Sequence, residues 1–202
     1  MKLYFAPGAC SFAAHIVVHE LGLPAQPVKV DLHSHKLADG SDYYAINPKG
    51  YVPVLELDDG TRLTEAAVVL QYLADRKPGT LAPALGGLDR YRLMEWLNFI
   101  ATEIHKGFGP LWYPDTPEAT RAKAIATLHK RFGIVEEALG RHPHVAGDAF
   151  TIADAYLYTL LSWSKYLKVD LSGFPRILAY MERVGARPAV QAAKAAESAP
   201  AR

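Results

Sequence analysis

The hydrophobic pattern of the chain changes its period once. Up to about residue 77, short apolar runs and period-two alternation interleave with segments of three-to-four spacing. Beyond about Leu88 only the helical spacing recurs. Such a chain cannot form one uniform layer; it predicts a mixed α/β unit followed by an all-helical one. Its 202 residues suffice for one large domain or two small ones. Residues 78–87 carry two prolines and three glycines, a linker composition. The expected organisation is therefore 1–77, a linker at 78–87, and 88–202.

In the first part, Met1–Phe5 reads as a buried strand and Ser11–Leu21 as a helix closed by Gly22 and Pro24. Val28–Leu32 alternates as a half-buried strand. Residues 33–50, broken by Gly40, Asn47-Pro48 and Gly50, read as a loop with room for one helical turn. Val52–Leu57 is a strand, Asp58-Asp59-Gly60-Thr61 a hairpin turn, Arg62–Thr64 its return strand, and Glu65–Lys77 a helix. A β-α-β crossover followed by a β-β-α hairpin is the layout of a thioredoxin-like domain. In the second part, residues 88–107 place Leu93, Trp96, Leu97, Ile100 and Ile104 on one helical face. Thr116-Pro117-Glu118 starts a second helix, with Thr as cap and Pro first, running to Leu139–Gly140. Thr151-Ile152-Ala153-Asp154 has the form of a capping box. Phe174-Pro175 and Arg187-Pro188 start two more helices, and the Ala/Lys-rich tail after Val190 reads as frayed.

The formal net charge is +1, which gives no electrostatic reason to expect nucleic acid or an anionic membrane as partner. No segment approaches the roughly 18 apolar residues of a membrane span. The N-terminal segment, interrupted at Pro7-Gly8, lacks the apolar region of a signal peptide. A single cysteine rules out an intrachain disulfide and fits a reducing cytoplasm.

That cysteine, Cys10, follows a strand and a Pro-Gly break and precedes a helix. A thiol near a helix N-terminus is expected to have a lowered pKa; the alternative for Cys10 is a small buried hydrophobe, the commoner fate of a free cysteine. Position 13, where a two-thiol redox site would carry its second cysteine, is Ala, so Cys10 cannot complete such a cycle alone. Pro53, opening the third strand of a thioredoxin-like domain, is expected to be cis, turning the Val52 backbone outward beside the thiol turn; taken alone, Tyr51-Val52-Pro53-Val54 also fits an ordinary trans-Pro edge strand. Glu65 and Ala66 stand at a strand-to-helix junction, where a carboxylate and a free N–H could take the amino and carboxylate ends of a ligand. Asn98, Thr102 and His105 share one helical line, with Lys106 beside them. The His33/His35 and His142/His144 pairs lack the supporting ligands of a metal motif, and no metal is assigned.

These pieces together resemble the cytosolic glutathione transferases, specifically the bacterial beta class with an active-site cysteine. The resemblance is carried by Pro7-Gly8-Ala9-Cys10-Ser11, by Asn47-Pro48-Lys49-Gly50-Tyr51-Val52-Pro53-Val54-Leu55 and by Leu63-Thr64-Glu65. In the second half it is carried by Glu95–Glu103, His105-Lys106-Gly107 and Phe150–Tyr156. It implies a thioredoxin-like glutathione site, an all-helical domain supplying the pocket for a small hydrophobic electrophile, glutathione as co-substrate, and a homodimer. Carried over by position, Cys10 faces the glutathione sulfur and can form a mixed disulfide with it. Val52, before Pro53, pairs with the cysteinyl part, and Glu65 and Ala66 hold the γ-glutamyl end. His105 and Lys106 reach across from the helical domain, with Asn98 nearby. Phe108, Leu111, Trp112 and Tyr113 are expected to build the electrophile pocket.

Four positions depart from the beta-class pattern. Phe5 stands where a Tyr is usual. His35, followed by Lys36, stands where a Lys commonly meets a glutathione carboxylate. Ala66 replaces Gly or Ser, and Tyr51 a frequent Gln. The implied function is a cytoplasmic glutathione transferase with disulfide exchange at Cys10. The rival expectation is a non-catalytic binding or accessory protein on the same fold, since fold alone does not decide function.

Overall fold

The structure, a computed structural model, describes residues 1–198; the last four residues of the expected helical half lie outside the described residues. Its first half is a five-stranded sheet in the order β3-β2-β1-β4-β5. These strands are β1 (Lys2–Phe5), β2 (Gln26–Asp31), β3 (Lys36–Leu37), β4 (Val54–Glu56) and β5 (Arg62–Leu63). β1 pairs parallel with β2, Lys2 opposite Gln26, and antiparallel with β4, Leu3 opposite Leu55. The expected parallel crossover and antiparallel hairpin are both present. The two-residue β3 inside the 33–50 loop carries no alternation long enough to read from sequence.

Period-two alternation gives the sheet two different faces. Leu3 and Leu55 point to the side covered by α1 (Phe12–Leu21) and α2 (Ala66–Asp75). Tyr4, Val30 and Val54 point to the other side, where they pack on buried Tyr43 and Val52. Helix α1 is buried along nearly its whole length and ends at Gly22, whose φ of +57° lets Leu23 N–H close on the Val18 carbonyl at 3.0 Å.

The second half contains, among the described residues, α3 (Leu88–Phe99), α4 (Glu118–Leu139), α5 (Ile152–Leu167), α6 (Pro175–Gly185) and α7 (Pro188–Ser198). The expected helix at 88–107 is not one helix. It winds as α through Phe99, as a π turn over Ile100–His105, and as a 3₁₀ segment over Lys106–Trp112. Helix α4 begins at Glu118 with Pro117, not Thr116, at its cap; the Pro117 carbonyl accepts from the Thr120 and Arg121 N–H groups. The Asp154 half of the capping box forms as the spacing predicts: one carboxylate oxygen accepts from Thr151 N–H at 2.8 Å and Thr151 Oγ1 at 2.9 Å. The other accepts from Val145 N–H at 3.1 Å and Tyr180 Oη at 3.2 Å, so Asp154 ties three segments together.

One apolar core runs without a break from α1 and α2 into α3, α5 and α7. The 78–87 segment is anchored to it. Leu81 and Ala82 are buried, and the Leu81 carbonyl accepts from Ile152 N–H at 3.1 Å. Buried Arg90 forks onto Asp75 at 2.8 and 3.0 Å, joining α3 to the end of α2.

The tail after Val190 is, as far as Ser198, a packed helix rather than a frayed one. Val190, Ala193 and Glu197 of α7 are buried against α1. Glu197 accepts from the Gly8 N–H at 2.9 Å, and its other oxygen meets His15 Nδ1 at 3.0 Å. Alanine-rich composition hides this, because the anchoring comes from one carboxylate and two small apolar faces.

Candidate functional site

Cys10 sits in the turn between β1 and α1, with Sγ donating to the Val52 carbonyl at 3.0 Å. The Gly8 peptide upstream is held on both sides. Its N–H goes to Glu197 and its carbonyl accepts from Trp163 Nε1 at 2.8 Å, at a φ of +70° that favours glycine. The expected lowering of the thiol pKa is overturned. Burial pushes the Cys10 thiol up to about 12, and the N–H groups of Cys10 and Ser11, which pull it down, do not offset this. Helix α1 starts at Phe12 and its first residues lie deep in the core, so the thiol at the helix end is packed against apolar surroundings while it remains partly exposed on the cavity side.

The Val52–Pro53 peptide is cis, as expected. The stretch before it is fixed from below: the Tyr51 carbonyl accepts from Asn47 Nδ2 at 2.7 Å and from Tyr43 Oη at 2.8 Å. Gly50 has φ +72°, and a Cβ there would come within 2.8 Å of the Tyr44 ring. Glu65 adopts φ +66°, ψ +118°, a conformation that costs a non-glycine residue about 1–3 kcal/mol and is kept where the surroundings impose it. Its carboxylate lies 2.6 Å from Lys49 Nζ. Ala66 opens α2, so its N–H has no acceptor within the helix.

Across from these residues the π turn presents His105, whose Nδ1 lies 2.7 Å from Tyr156 Oη. Burial, aided by neighbouring Lys106 and opposed by Glu65, lowers the His105 pKa to about 4, so the ring is neutral at neutral pH. Burial likewise raises Tyr156, reinforced by Cys10 and Glu65.

The thiol turn, the cis-proline strand, the start of α2 and the π turn border one cavity of about 1330 Å³. From the sheet half come Cys10, Lys49, Tyr51, Val52, Pro53, Glu65 and Ala66. From the helical half come Thr102, His105, Lys106, Trp112, Tyr113, Tyr156, Trp163 and Tyr166. Several expected residues lie elsewhere. Asn98 is exposed and off the cavity, and the π turn begins between it and His105. Phe108 and Leu111 are buried in the core, leaving Trp112 and Tyr113 to face the cavity. His35, at φ +52°, stacks on Tyr44 with ring centres 4.5 Å apart, and Lys36 lies exposed in β3; neither lines the cavity, whereas His33 does. Asn47, Lys49, Tyr156, Trp163 and Glu197 escaped the sequence reading of the site. Of these, Asn47, Lys49 and Tyr156 lay inside matching motifs, and Tyr156 and Trp163 are indistinguishable by pattern from core residues of α5.

Comparison with known proteins agrees with this geometry. The family model for the N-terminal domain of glutathione S-transferase matches residues 8–76, and that for the C-terminal domain matches residues 99–188. Glutathione S-transferase GstA of Escherichia coli O157:H7 is 50% identical over 199 residues, covering 98% of each chain. A sphingomonad glutathione S-transferase solved with glutathione superposes with a TM-score of 0.95 at 43% identity, over 99% of this chain and all of that one. The beta-class enzyme of Sphingomonas chungbukensis superposes at 0.94 and 42% identity, over 98% of this chain and 99% of that one. With both halves matched and the relatives aligned end to end, the chain belongs to the glutathione S-transferases, in the bacterial beta class.

Proposed function

We propose that the protein conjugates glutathione to small hydrophobic electrophiles in the cytoplasm, with slower disulfide exchange at Cys10. The observation that supports this best is the single cavity, polar and strand-built on one side, aromatic and helix-built on the other. The polar side suits a tripeptide. The Val52 backbone is available to the cysteinyl part, and Glu65 with the Ala66 N–H to the γ-glutamyl end. Lys29, Lys49 and Lys106 are the lysines on the cavity wall, available to its carboxylates in place of His35 and Lys36.

The aromatic side offers Trp112, Tyr113 and Tyr166, with the Trp112 ring 5.1 Å from Trp163 and 5.8 Å from Tyr166. Such a wall takes flat apolar molecules by area rather than by hydrogen bonds. Catalysis then consists of holding the glutathione sulfur and the electrophilic carbon together in one water-poor site and favouring the thiolate. Exchange at Cys10 is supported by its place on the cavity wall and slowed by its raised pKa. A homodimer is supported by Leu88, Tyr91 and Met94, exposed at three-residue spacing along α3, and by exposed Val68 on α2.

Retention on immobilised glutathione, followed by assays with an aryl halide and with a mixed-disulfide substrate, tests the proposal. Retention with aryl-halide turnover is the expected result. Retention without either turnover would make the protein a glutathione-binding module, and no retention would remove the proposal altogether.

A further inference from the structure

His105 meets the protein through one of its two ring nitrogens. Nδ1 is 2.7 Å from the Tyr156 hydroxyl. Nε2 has no hydrogen-bond partner among the described residues, and it is not among the polar atoms sealed from solvent without one, which are His35 Nδ1, Arg90 Nε, His144 Nδ1 and Ser164 Oγ. It is the nitrogen open to the cavity. The ring is held edge-on by Tyr156, with centres 5.9 Å apart, and by Trp163 at 5.1 Å.

Tyr156 is only 2% exposed and lies within the first two turns of α5. Burial raises its pKa, so the phenol keeps its proton. Among the described residues, His105 Nδ1 is the one acceptor within hydrogen-bond reach of that proton. A buried hydroxyl proton left without an acceptor is costly, which favours the bond running from Tyr156 Oη to Nδ1 over the reverse. A nitrogen that accepts carries no proton, and a neutral imidazole carries its single N–H on the other nitrogen.

We propose that Tyr156 locks His105 as the Nε2–H tautomer, so that the ring offers the cavity a hydrogen-bond donor and not a proton acceptor. The inference rests on the reading of this cavity as the glutathione site. When glutathione is activated there, its S–H bond breaks with the electron pair left on sulfur, and the proton goes to water. The thiolate accepts the Nε2–H hydrogen bond, and no bond to hydrogen on His105 is made or broken. The charged and titratable groups that bear on the ring are Lys106, beside it, and Glu65, across the cavity, with the Cys10 thiol on the same cavity wall. For His105 to act as a base, Nδ1 would have to carry the proton and the Tyr156 proton would need another acceptor, which the surrounding side chains do not supply. Tyr156 is thus a positioning residue acting through His105.

Long-range ¹H–¹⁵N correlation on histidine-labelled protein reads the tautomer directly, with the His105 signals assigned by their loss in His105→Asn. The expected result for the unaltered chain is a protonated Nε2 and an unprotonated Nδ1. In Tyr156→Phe both nitrogens should move to intermediate, exchange-averaged shifts, while conjugation kcat falls about threefold to tenfold. Protonated Nδ1 in the unaltered chain, or an unchanged tautomer in Tyr156→Phe, would overturn the proposal. The unaltered chain alone decides the tautomer if Tyr156→Phe fails to fold. Failure of glutathione to bind the unaltered protein would remove the functional reading while leaving the tautomer measurement standing, so the two failures are separable.

Discussion

Cys10 Sγ donates a hydrogen bond to the carbonyl of Val52 at 3.0 Å, joining the thiol turn to the residue before Pro53. A thiol so placed holds its proton, and its burial pushes the pKa up to about 12. Alkylation of the free protein by iodoacetamide at pH 7–8 should therefore run roughly 10- to 100-fold slower than that of a free thiol of ordinary pKa, the lower thiolate fraction outweighing the higher intrinsic nucleophilicity. The rate should keep rising above pH 9. A plateau near pH 7 would mean that the helix end and the turn N–H groups prevail over burial.

Glu65 combines a strained backbone with an exposed carboxylate 2.6 Å from Lys49 Nζ. Glu65→Gln should weaken glutathione binding by about 1–3 kcal/mol, the range for a hydrogen bond to a charged group. Isothermal titration on the folded variant measures it. An unchanged dissociation constant would make Glu65 only the partner of Lys49.

Much of this architecture can be read from residues because it rests on local signals. The alternation in β1 and β2, the glycine after α1 and the Thr151–Asp154 spacing each fix their element before any long-range contact is known. Cys10, Val52, Pro53, Glu65 and His105 line the cavity together because they sit at the ends of elements, where motifs are local. Residues that face the cavity from inside an element were not legible. Tyr156 and Trp163 follow the same apolar periodicity as the core around them. Asn98 lies off the cavity, and no local signal marks the π turn that follows it. The thiol pKa was misjudged because a helix N-terminus is visible in sequence and the depth of burial is not.

Asp154 gathers hydrogen bonds from Val145, Thr151 and Tyr180 at a fully buried position. Asp154→Ala strands several buried donors, each worth about 1–3 kcal/mol. The loss of unfolding free energy should therefore exceed the 0.5–2 kcal/mol or so typical of a helix cap alone. Denaturant titration should give about 3 kcal/mol or more, with glutathione affinity of the remaining folded protein unchanged. A fully stable but inactive variant would assign Asp154 to the chemistry instead.

The pKa of His105 is lowered in the folded chain from 6.5 to about 4, chiefly by burial. Between those values the unfolded chain binds a proton that the folded chain does not, so stability falls as pH drops from about 6.5 to 4. His105→Gln should flatten that part of the stability profile while leaving the profile above pH 7 parallel to that of the parent. Equal slopes in both proteins across the acid window would show that His105 is not the group responsible.

Glu197 and Trp163 hold opposite sides of the Gly8 peptide, and Glu197 follows Gly8 by 189 residues. During synthesis the turn that carries Cys10 leaves the ribosome long before the Glu197 side of its clamp. The sheet can pair long before then, but the thiol turn waits for α7 to be made. A nascent chain stalled before α7 would thus carry its cysteine in an unclamped turn, meeting oxidants and alkylating agents faster than the finished protein does.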